Sequence, residues 1–203
     1  MKPDPSDDDR TCDAGIVFAL PIEADAFARR VTNGVTWHGS GVAFHEGAVA
    51  GSRVAWCVGG VGGPAAARAT RLMLAGHRPR LVVSAGFAGG LDPGLPRGTA
   101  VRPGGVKDAE TGAWIDLATV TGSAPGPLLA SVNAVAATVD GKRGLAARTG
   151  AALVDMETHA IATVATAAGL PCLALRVVSD DASTPLPPEV QSLARRQSPW
   201  RRL

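Results

Sequence analysis

The sequence predicts an α/β fold, a single domain with a central mixed, mostly parallel sheet flanked by helices. The first observation behind this prediction is a series of short apolar runs, such as 16–20, 81–86 and 171–179, which are typical of strands buried on both faces. The second is that helix-like segments separate these runs, a pattern that indicates α/β architecture. The third is the length of 203 residues, which suits one domain.

The composition excludes several classes of protein. Hydrophobic residues make up 46% of the chain and charged residues 19%, which excludes an intrinsically disordered chain. The formal net charge of +2 gives no electrostatic case for a nucleic-acid partner. No apolar run reaches the roughly 18 residues of a membrane span, and three cysteines are too few for a disulfide framework or a zinc site. We therefore expect a cytoplasmic protein with no membrane span and no bound metal.

The two ends of the chain differ in composition from its middle. Residues 1–13 are polar, acidic and contain prolines, so we expect a disordered leader there and no signal peptide. The domain is expected to span 14–184, with ordered structure from about Gly15. Residues 185–203 are Pro-rich and then basic, and we predict a tail outside the domain.

Local patterns place helices and strands along the domain. Pro21 stands at the first position of a predicted helix whose acids come early and whose arginines, Arg29 and Arg30, come late. A Gly-rich turn leads into an Ala-rich helix that ends at Gly76. The other predicted helices are 141–150 and 156–169. The predicted strands are 16–20, 41–50, 52–58, 81–86, 98–103, 113–120, 131–139, 151–155 and 171–179.

Carboxylates follow three of the predicted strands. Glu23 comes after the first strand, Glu157 after the strand that ends at Asp155, and Asp180 after the last strand. Ligands of open α/β sheets bind beyond the carboxyl ends of strands, so these acids are candidates for a shared site. Each also has a structural alternative, because an acid in the first turn of a helix stabilises the helix dipole and an Asp can cap a turn or a helix.

Arg176 lies within an apolar predicted strand, where an unpaired charge would be costly. It therefore needs a carboxylate partner, and we expect Glu23 or Glu157 to supply it. Asp155 is interpreted as a helix N-cap rather than as a catalyst.

Other chemistries lack the residues they require. His38, His45 and His77 have no metal-ligand spacing, and the sequence contains no Ser-His-Asp set or nucleophile elbow. The turn GGVGGP is similar to a dinucleotide fingerprint, but Pro64 occupies the turn and no acid stands about 20 residues later. A Rossmann site is therefore rejected.

Taken together, the motifs resemble the superfamily of nucleoside phosphorylases and 5'-methylthioadenosine/S-adenosylhomocysteine nucleosidases. The most specific part is a Met-Glu pair that opens a helix, followed by a strand ending in Ser-Asp. AGFAGGLDPGL and VDMETHAIA are most similar to the branch encoded with hopanoid biosynthesis, which is thought to remove adenine from adenosylhopane; the futalosine hydrolase branch is a near neighbour. The matching segments are IVFALPIEADAF (16–27), GVGGPAAARATRLML (60–74), VVSAGFAGGLDPGLPRGTAV (82–101), ALVDMETHAIATVATAAGLP (152–171) and LRVVSDDA (175–182).

The resemblance implies a role for each matching residue. Glu23 corresponds to the acid that activates the attacking water, and Glu157 to the carboxylate that holds the ribose hydroxyls. Met156 corresponds to the residue that packs against the sugar, and Asp180 to the acid that protonates the purine at N7. The remaining residues that it implies, as positioning or substrate-binding groups, are Phe87, Ala88, Gly89, Val139, Arg176 and Ser179.

Two positions depart from the family's pattern. Ser84 stands where the phosphorylases carry a phosphate-binding Arg, and Phe87 stands where relatives often carry Ser. The first loop also lacks the family's Gly-x-Pro-x-Arg phosphate turn. These departures favour water over phosphate as the nucleophile.

The expected function is therefore a nucleosidase that cleaves the N-glycosidic bond of a 5'-substituted adenosine with water and needs no cofactor. For this reaction Asp180 should be desolvated enough to hold a proton near neutral pH, whereas Glu157 should stay ionised at its helix N-terminus. The alternatives are a purine nucleoside phosphorylase and a non-catalytic nucleoside-binding relative. A homodimer is expected because the Ala-rich helix 64–76 offers an apolar face that one small domain need not bury alone.

Overall fold

The computed structural model describes residues 11–119 and 122–186, and in these residues eleven strands join in one sheet with four helices around it. The helices are α1 (Pro21–Ala28), α2 (Gly63–Gly76), α3 (Val139–Thr149) and α4 (Thr158–Ala167). The strands are β1 (Thr11–Phe18), β2 (Thr32–Gly39), β3 (Val42–Val49), β4 (Ser52–Val58), β5 (Arg78–Gly90), β6 (Ala100–Val101), β7 (Gly105–Asp108), β8 (Trp114–Asp116), β9 (Leu128–Ser131), β10 (Leu153–Asp155) and β11 (Cys172–Asp180).

The mixed sheet expected from the sequence is confirmed. Its order is β2-β3-β4-β1-β5-β10-β9-β7-β8, and β11 pairs with both β5 and β6. Among the described strands, five pairings are parallel and five antiparallel, so the sheet is less parallel than predicted. The difference comes from the β2-β3-β4 meander, the short β6 and β8, and β10, which runs antiparallel to β5.

Several elements agree closely with the sequence patterns. β4 spans 52–58 as predicted, and α3 ends before Gly150, which takes the left-handed conformation. One predicted strand, 131–139, is wrong. β9 ends at Ser131, and Val139 instead opens α3 because the Thr138 hydroxyl accepts a hydrogen bond from the Gly141 N–H.

The domain begins earlier than predicted. β1 starts at Thr11, where it pairs with Arg78 of β5, so the last three residues of the expected leader belong to the sheet. At the other end, the Leu186 N–H donates to the Ala137 carbonyl, 3.0 Å away, beyond the expected boundary at residue 184. Residues 1–10 of the expected leader and 187–203 of the expected tail lie outside the described part of the chain.

Helices cover the two faces of the sheet unequally. α2 and α4 pack together on one face, where Ala66, Ala69 and Met73 are fully buried. α1 covers part of the other face, above a cluster that includes Phe18 and Trp56. The small-residue face of α2, expected to be available to a partner, is thus buried inside its own domain. Within the described residues, no helix is both long and apolar enough to cross a membrane.

Candidate active site

The end of β5 is the point at which three other segments meet. β1 and β11 run parallel to β5 on either side, which brings the β1–α1 turn and Asp180 to the carboxyl end of the sheet. β10 arrives from the opposite direction, with Val154 paired to Gly89. Its continuation therefore carries Glu157 back along β5. Glu23 and Glu157 reach the wall of one cavity, Glu157 from an antiparallel strand, and Asp180 ends β11 opposite Gly89 of β5.

Glu23 is held by backbone N–H groups from two parts of the chain. Its Oε2 accepts hydrogen bonds from Ala19 and Leu20, at 2.9 and 2.8 Å, and its Oε1 accepts one from Phe87 at 2.8 Å. The first two bonds cap the start of α1, as its structural alternative predicted. The third joins α1 to the end of β5. A Cβ on Gly86 would collide with the Glu23 carboxylate, so only glycine permits this approach.

Glu157 occupies the N-cap position of α4 rather than its first turn. Its Oε1 accepts a hydrogen bond from the Gly62 N–H at 2.7 Å, and its Oε2 accepts one from the Met156 N–H at 3.2 Å. Burial, followed by the nearby Asp155 carboxylate, raises the pKa of Glu157 to about 7. This upward direction runs against the expectation that Glu157 stays ionised at its helix N-terminus, because burial of the carboxylate outweighs the hydrogen bonds that it accepts.

Two cavities that share several lining residues lie beside these carboxylates. A narrow one of about 10 Å³ has both Glu23 and Glu157 in its wall, together with Phe87 and Arg176. A wider one of about 530 Å³ also includes Glu23, Phe87 and Arg176 and extends over apolar residues. The residues that line the wider cavity are Phe18, Glu23, Ala85, Gly86, Phe87, Ala100, Val101, Arg102, Leu175, Arg176 and Val177.

Arg176 pairs with Asp155, and not with Glu23 or Glu157 as expected. The Arg176 Nη2 lies 2.7 Å from the Asp155 Oδ2, and the same nitrogen donates to the hydroxyls of Ser84 and Thr158 at 2.6 and 2.5 Å. The Asp155 Oδ1 accepts from Ser131 at 2.6 Å, and Asp155 also caps α4 by accepting from the Thr158 N–H. The buried guanidinium is therefore fully engaged in the protein's own network.

Asp180 ends β11 and is 6% exposed, as a desolvated acid requires. It forms an ion pair with Lys142, a lysine that is 1% exposed. The Ser179 hydroxyl lies 2.5 Å from the Asp180 Oδ1. The buried Asp180 carboxylate is therefore held by two neighbouring side chains, those of Lys142 and Ser179.

Four of the implied site residues, Glu23, Glu157, Phe87 and Arg176, line the two cavities, and the other implied residues are not among the described residues that line them. Ala88 and Gly89 lie on β5 opposite Val178 and Asp180 of β11, and Ser179 contacts the Ala88 carbonyl at 3.2 Å. Met156 precedes Glu157 at the start of α4. Val139 lines neither of the two cavities among the residues that the structure describes, because it begins α3 instead of ending a strand at the site.

Two residues that contact the predicted acids were not identified from the sequence. Gly62 belongs to the Gly-rich turn, interpreted only as a tight connection, and it donates to Glu157. Lys142 lies on the buried face of α3 together with Leu145 and Thr149. The i, i+3, i+7 spacing of these three positions was the available signal. Within the described residues, no three His, Cys, Asp or Glu side chains are grouped as metal ligands.

The fold is that of a known family. The chain belongs to the Phosphorylase superfamily, whose family model matches residues 13–113 and 117–198. It is 31% identical over 201 residues to the 5'-methylthioadenosine/S-adenosylhomocysteine nucleosidase of Actinobacillus succinogenes, with 82% of this chain and 84% of that protein covered.

Two further comparisons differ in extent. The Tolumonas auensis enzyme of the same name is 34% identical over 87 residues, which span 43% of this chain and only 38% of that relative. The solved structure of the Neisseria meningitidis 5'-methylthioadenosine/S-adenosylhomocysteine nucleosidase, in complex with methylthio-immucillin-A, superposes with a TM-score of 0.79 at 20% identity, covering 93% of this chain and 95% of that one. This structural likeness concerns the fold.

Proposed function

We propose that this protein is a nucleosidase that cleaves the N-glycosidic bond of a 5'-substituted adenosine with water and releases the base. The observation that carries the proposal is that Glu23 and Glu157, from distant parts of the chain, line one cavity next to the strand end that bears Asp180. The names of the relatives, which are nucleosidases of adenosine derivatives, support the same reaction class.

The reaction needs a negatively charged group near the sugar and a proton donor near the base. Breaking the glycosidic bond leaves positive charge on the ribose, which an ionised Glu157 stabilises while it accepts hydrogen bonds from the hydroxyls. Glu23 takes a proton from the attacking water as the new C–O bond forms. The base leaves with the electron pair of the bond. Asp180 takes up a proton from solvent when the base binds and passes it to N7 of the leaving base.

Water is favoured over phosphate because the groups that would bind an anion are already occupied. Phosphate is held by backbone N–H groups or by Arg in a bidentate pose. The N–H groups of Ala19, Leu20 and Phe87 donate to Glu23, and the Arg176 guanidinium is bound to Asp155. Arg102 lines the wider cavity and is the observation that keeps a phosphorylase as the second candidate.

The wider cavity supports a substrate with an apolar group on the ribose 5' carbon. Beyond Glu23, its wall is largely hydrophobic and includes Phe18, Val101 and Leu175, side chains that gain free energy when an apolar group covers them. A hopanoid tail, as in adenosylhopane, and the smaller methylthio group both belong to this class. We favour the hopanoid substrate because of the motifs AGFAGGLDPGL and VDMETHAIA.

The test is a substrate panel assayed for release of free base, with and without phosphate. Adenosine, methylthioadenosine, futalosine and adenosylhopane are supplied to the wild-type protein and to the variants Glu23→Gln, Asp180→Asn and, as a control on the protein surface, Arg143→Met. We expect phosphate-independent release, a loss of about 10²–10⁴-fold in kcat for Asp180→Asn, and abolished hydrolysis for Glu23→Gln. Binding of nucleosides without release by the wild-type protein would instead support a non-catalytic relative.

We propose further that the protein is a cytoplasmic homodimer. Exposed apolar side chains mark surfaces that a partner covers, and Ile22 and Trp37, 66% and 54% exposed, are the most prominent of these among the described residues. Its cysteines are free and buried, and burial raises the pKa of Cys57 and Cys172 to about 12, which is consistent with unreactive thiols in a reducing compartment.

A further inference from the structure

Lys142 is the buried charged residue for which the proposed reaction has no role. Its ammonium group is enclosed by three acceptors: the Asp180 Oδ2, the Asp181 carbonyl at 2.6 Å and the Thr184 carbonyl at 2.8 Å. An ammonium has three hydrogens to donate, so these partners satisfy it completely. Lysine is almost never fully buried unless it is paired, and here the pairing is with a residue of the proposed active site.

Lys142 contacts only one of the two carboxylate oxygens of Asp180, and the other oxygen lies beside Ser179. Lys142 binds Oδ2, whereas the Ser179 hydroxyl lies 2.5 Å from Oδ1 and 3.2 Å from the Ala88 carbonyl. A hydroxyl has a single hydrogen, so Ser179 donates to one of these two oxygens at a time. When it donates to Ala88, Oδ1 is free to contact a base while Oδ2 stays anchored.

We propose that Lys142 is a positioning residue for Asp180, fixing the carboxylate through Oδ2 so that Oδ1 is presented to the leaving purine. Lys142 acts at the same time on the turn after β11, because it binds the carbonyls of Asp181 and Thr184. The inference rests on the proposed function, since the orientation of Asp180 matters only if a base leaves beside it.

A double-mutant cycle separates action through Asp180 from a general structural role. Lys142→Met, which keeps the length of the side chain and removes its charge, should lower kcat by about 10–100-fold with little change in KM. In the Asp180→Asn background the same substitution should change kcat less than threefold. Arg143→Met, on the exposed side of α3, is the matched control. An equal loss in both backgrounds, or an unchanged kcat for Lys142→Met, would overturn the proposal.

Chemical rescue supplies a second readout that a structural role would not move. Lys142→Ala leaves space for a small amine, so ethylammonium should restore activity in a saturable manner, whereas tetramethylammonium, which has no N–H to donate, should not. Rescue by both cations or by neither contradicts the proposal. If Lys142→Met does not fold, Asp180→Asn is compared with the double variant, in which neither charge of the pair remains, and a change in kcat of more than threefold between these two overturns the proposal.

Calorimetric binding of adenine distinguishes failure of this inference from failure of the proposed function. If the wild-type protein binds adenine but releases no base from the panel, the proposed function fails. The positioning role of Lys142 still predicts that Lys142→Met binds adenine about tenfold more weakly. In the Asp180→Asn background the same substitution should cause no further loss of adenine affinity. Equal adenine affinity in wild type and Lys142→Met overturns the positioning role. A wild-type protein that neither binds adenine nor cleaves the panel overturns both.

Discussion

Glu157 illustrates how a residue's environment can oppose its proposed role. Burial and the Asp155 carboxylate both favour its protonated form, and they raise its pKa to about 7. Ribose binding and stabilisation of a positively charged sugar both need the ionised form. The N–H groups of Gly62 and Met156 orient the carboxylate but do not fully compensate for its desolvation. The free protein should therefore change its activity across neutral pH.

The first prediction concerns the pH dependence of kcat/KM. Below the pKa of about 7, Glu157 gains a proton and loses the active form, so kcat/KM should fall about tenfold per pH unit in the acid limb. The wild-type profile is compared with that of Glu157→Gln, whose residual activity should not show this limb. An acid limb that persists unchanged in Glu157→Gln would assign the titration to another group.

The second prediction concerns the pH dependence of stability. Ionisation of Glu157 should favour activity but lower the stability of the folded protein. A carboxylate whose folded-state pKa is raised, from 4.5 to about 7, destabilises the fold as pH rises through this interval, because the folded state binds more protons than the unfolded one. Glu157→Gln should therefore raise the melting temperature more at pH 8 than at pH 5, measured by thermal denaturation. An equal effect at both pH values contradicts this assignment.

The third prediction concerns the contact between Gly86 and Glu23. A methyl group at position 86 would collide with the Glu23 carboxylate, which must then leave the Phe87 N–H. We expect Gly86→Ala to lower kcat by about 10²-fold, the cost of a displacement of about 1 Å. Kinetics of Gly86→Ala and of a Gly144→Ala control, where no atom lies within 4 Å of the new Cβ, would measure this. Equal kcat values in the two variants would show that Glu23 does not need this position.

At the scale of elements, β11 carries both of the buried ion pairs near the site. Arg176 lies within the strand and pairs with Asp155, whereas Asp180 ends the strand and pairs with Lys142 of α3. These pairs attach β11 to the end of β10 and to α3. The stability of the sheet and the geometry of the site therefore depend on the same two ion pairs.

The fourth prediction measures the Arg176 pair. Arg176→Met leaves Asp155 as an unpaired buried charge, and we expect a loss of about 3–5 kcal/mol in the free energy of unfolding. The exposed pair between Arg143 and Asp140, with side chains 75% and 91% exposed, is the control, and Arg143→Met should cost less than about 1 kcal/mol. Denaturant titration of both variants gives the values. Similar losses of unfolding free energy in Arg176→Met and Arg143→Met would mean that breaking the buried pair costs no more than breaking the exposed one.

The elements also show where sequence patterns suffice and where they do not. β4 and β11 were predicted because both are apolar runs of strand length, although buried positions in β11 alternate with exposed ones such as Leu175 and Val177. β2 was missed because all of its residues are exposed, which leaves no apolar alternation to detect. The direction of β10 and the partner of Arg176 depend on how distant strands pair, which local sequence does not encode. Lys142 was missed because a charged residue in a helix is usually solvated.

At the scale of the whole molecule, the order of the strands creates the site. β5 is the longest of the described strands and pairs with β1, β10 and β11, so its carboxyl end collects Glu23, Glu157 and Asp180 from three different connections. The approach of Glu23 and Glu157 to one cavity was predicted because each follows an apolar strand. The N–H groups and the cation that hold these acids in place could be identified only from the structure.

The fifth prediction tests the central claim, that water activated by Glu23 breaks the glycosidic bond. Cleavage of an adenosine substrate in oxygen-18-labelled water, followed by mass spectrometry of the sugar, identifies the nucleophile directly. The account predicts one labelled oxygen at C1 of a free ribose-type sugar, at a rate independent of phosphate. An unlabelled sugar 1-phosphate, formed at a rate that vanishes without phosphate, would contradict it.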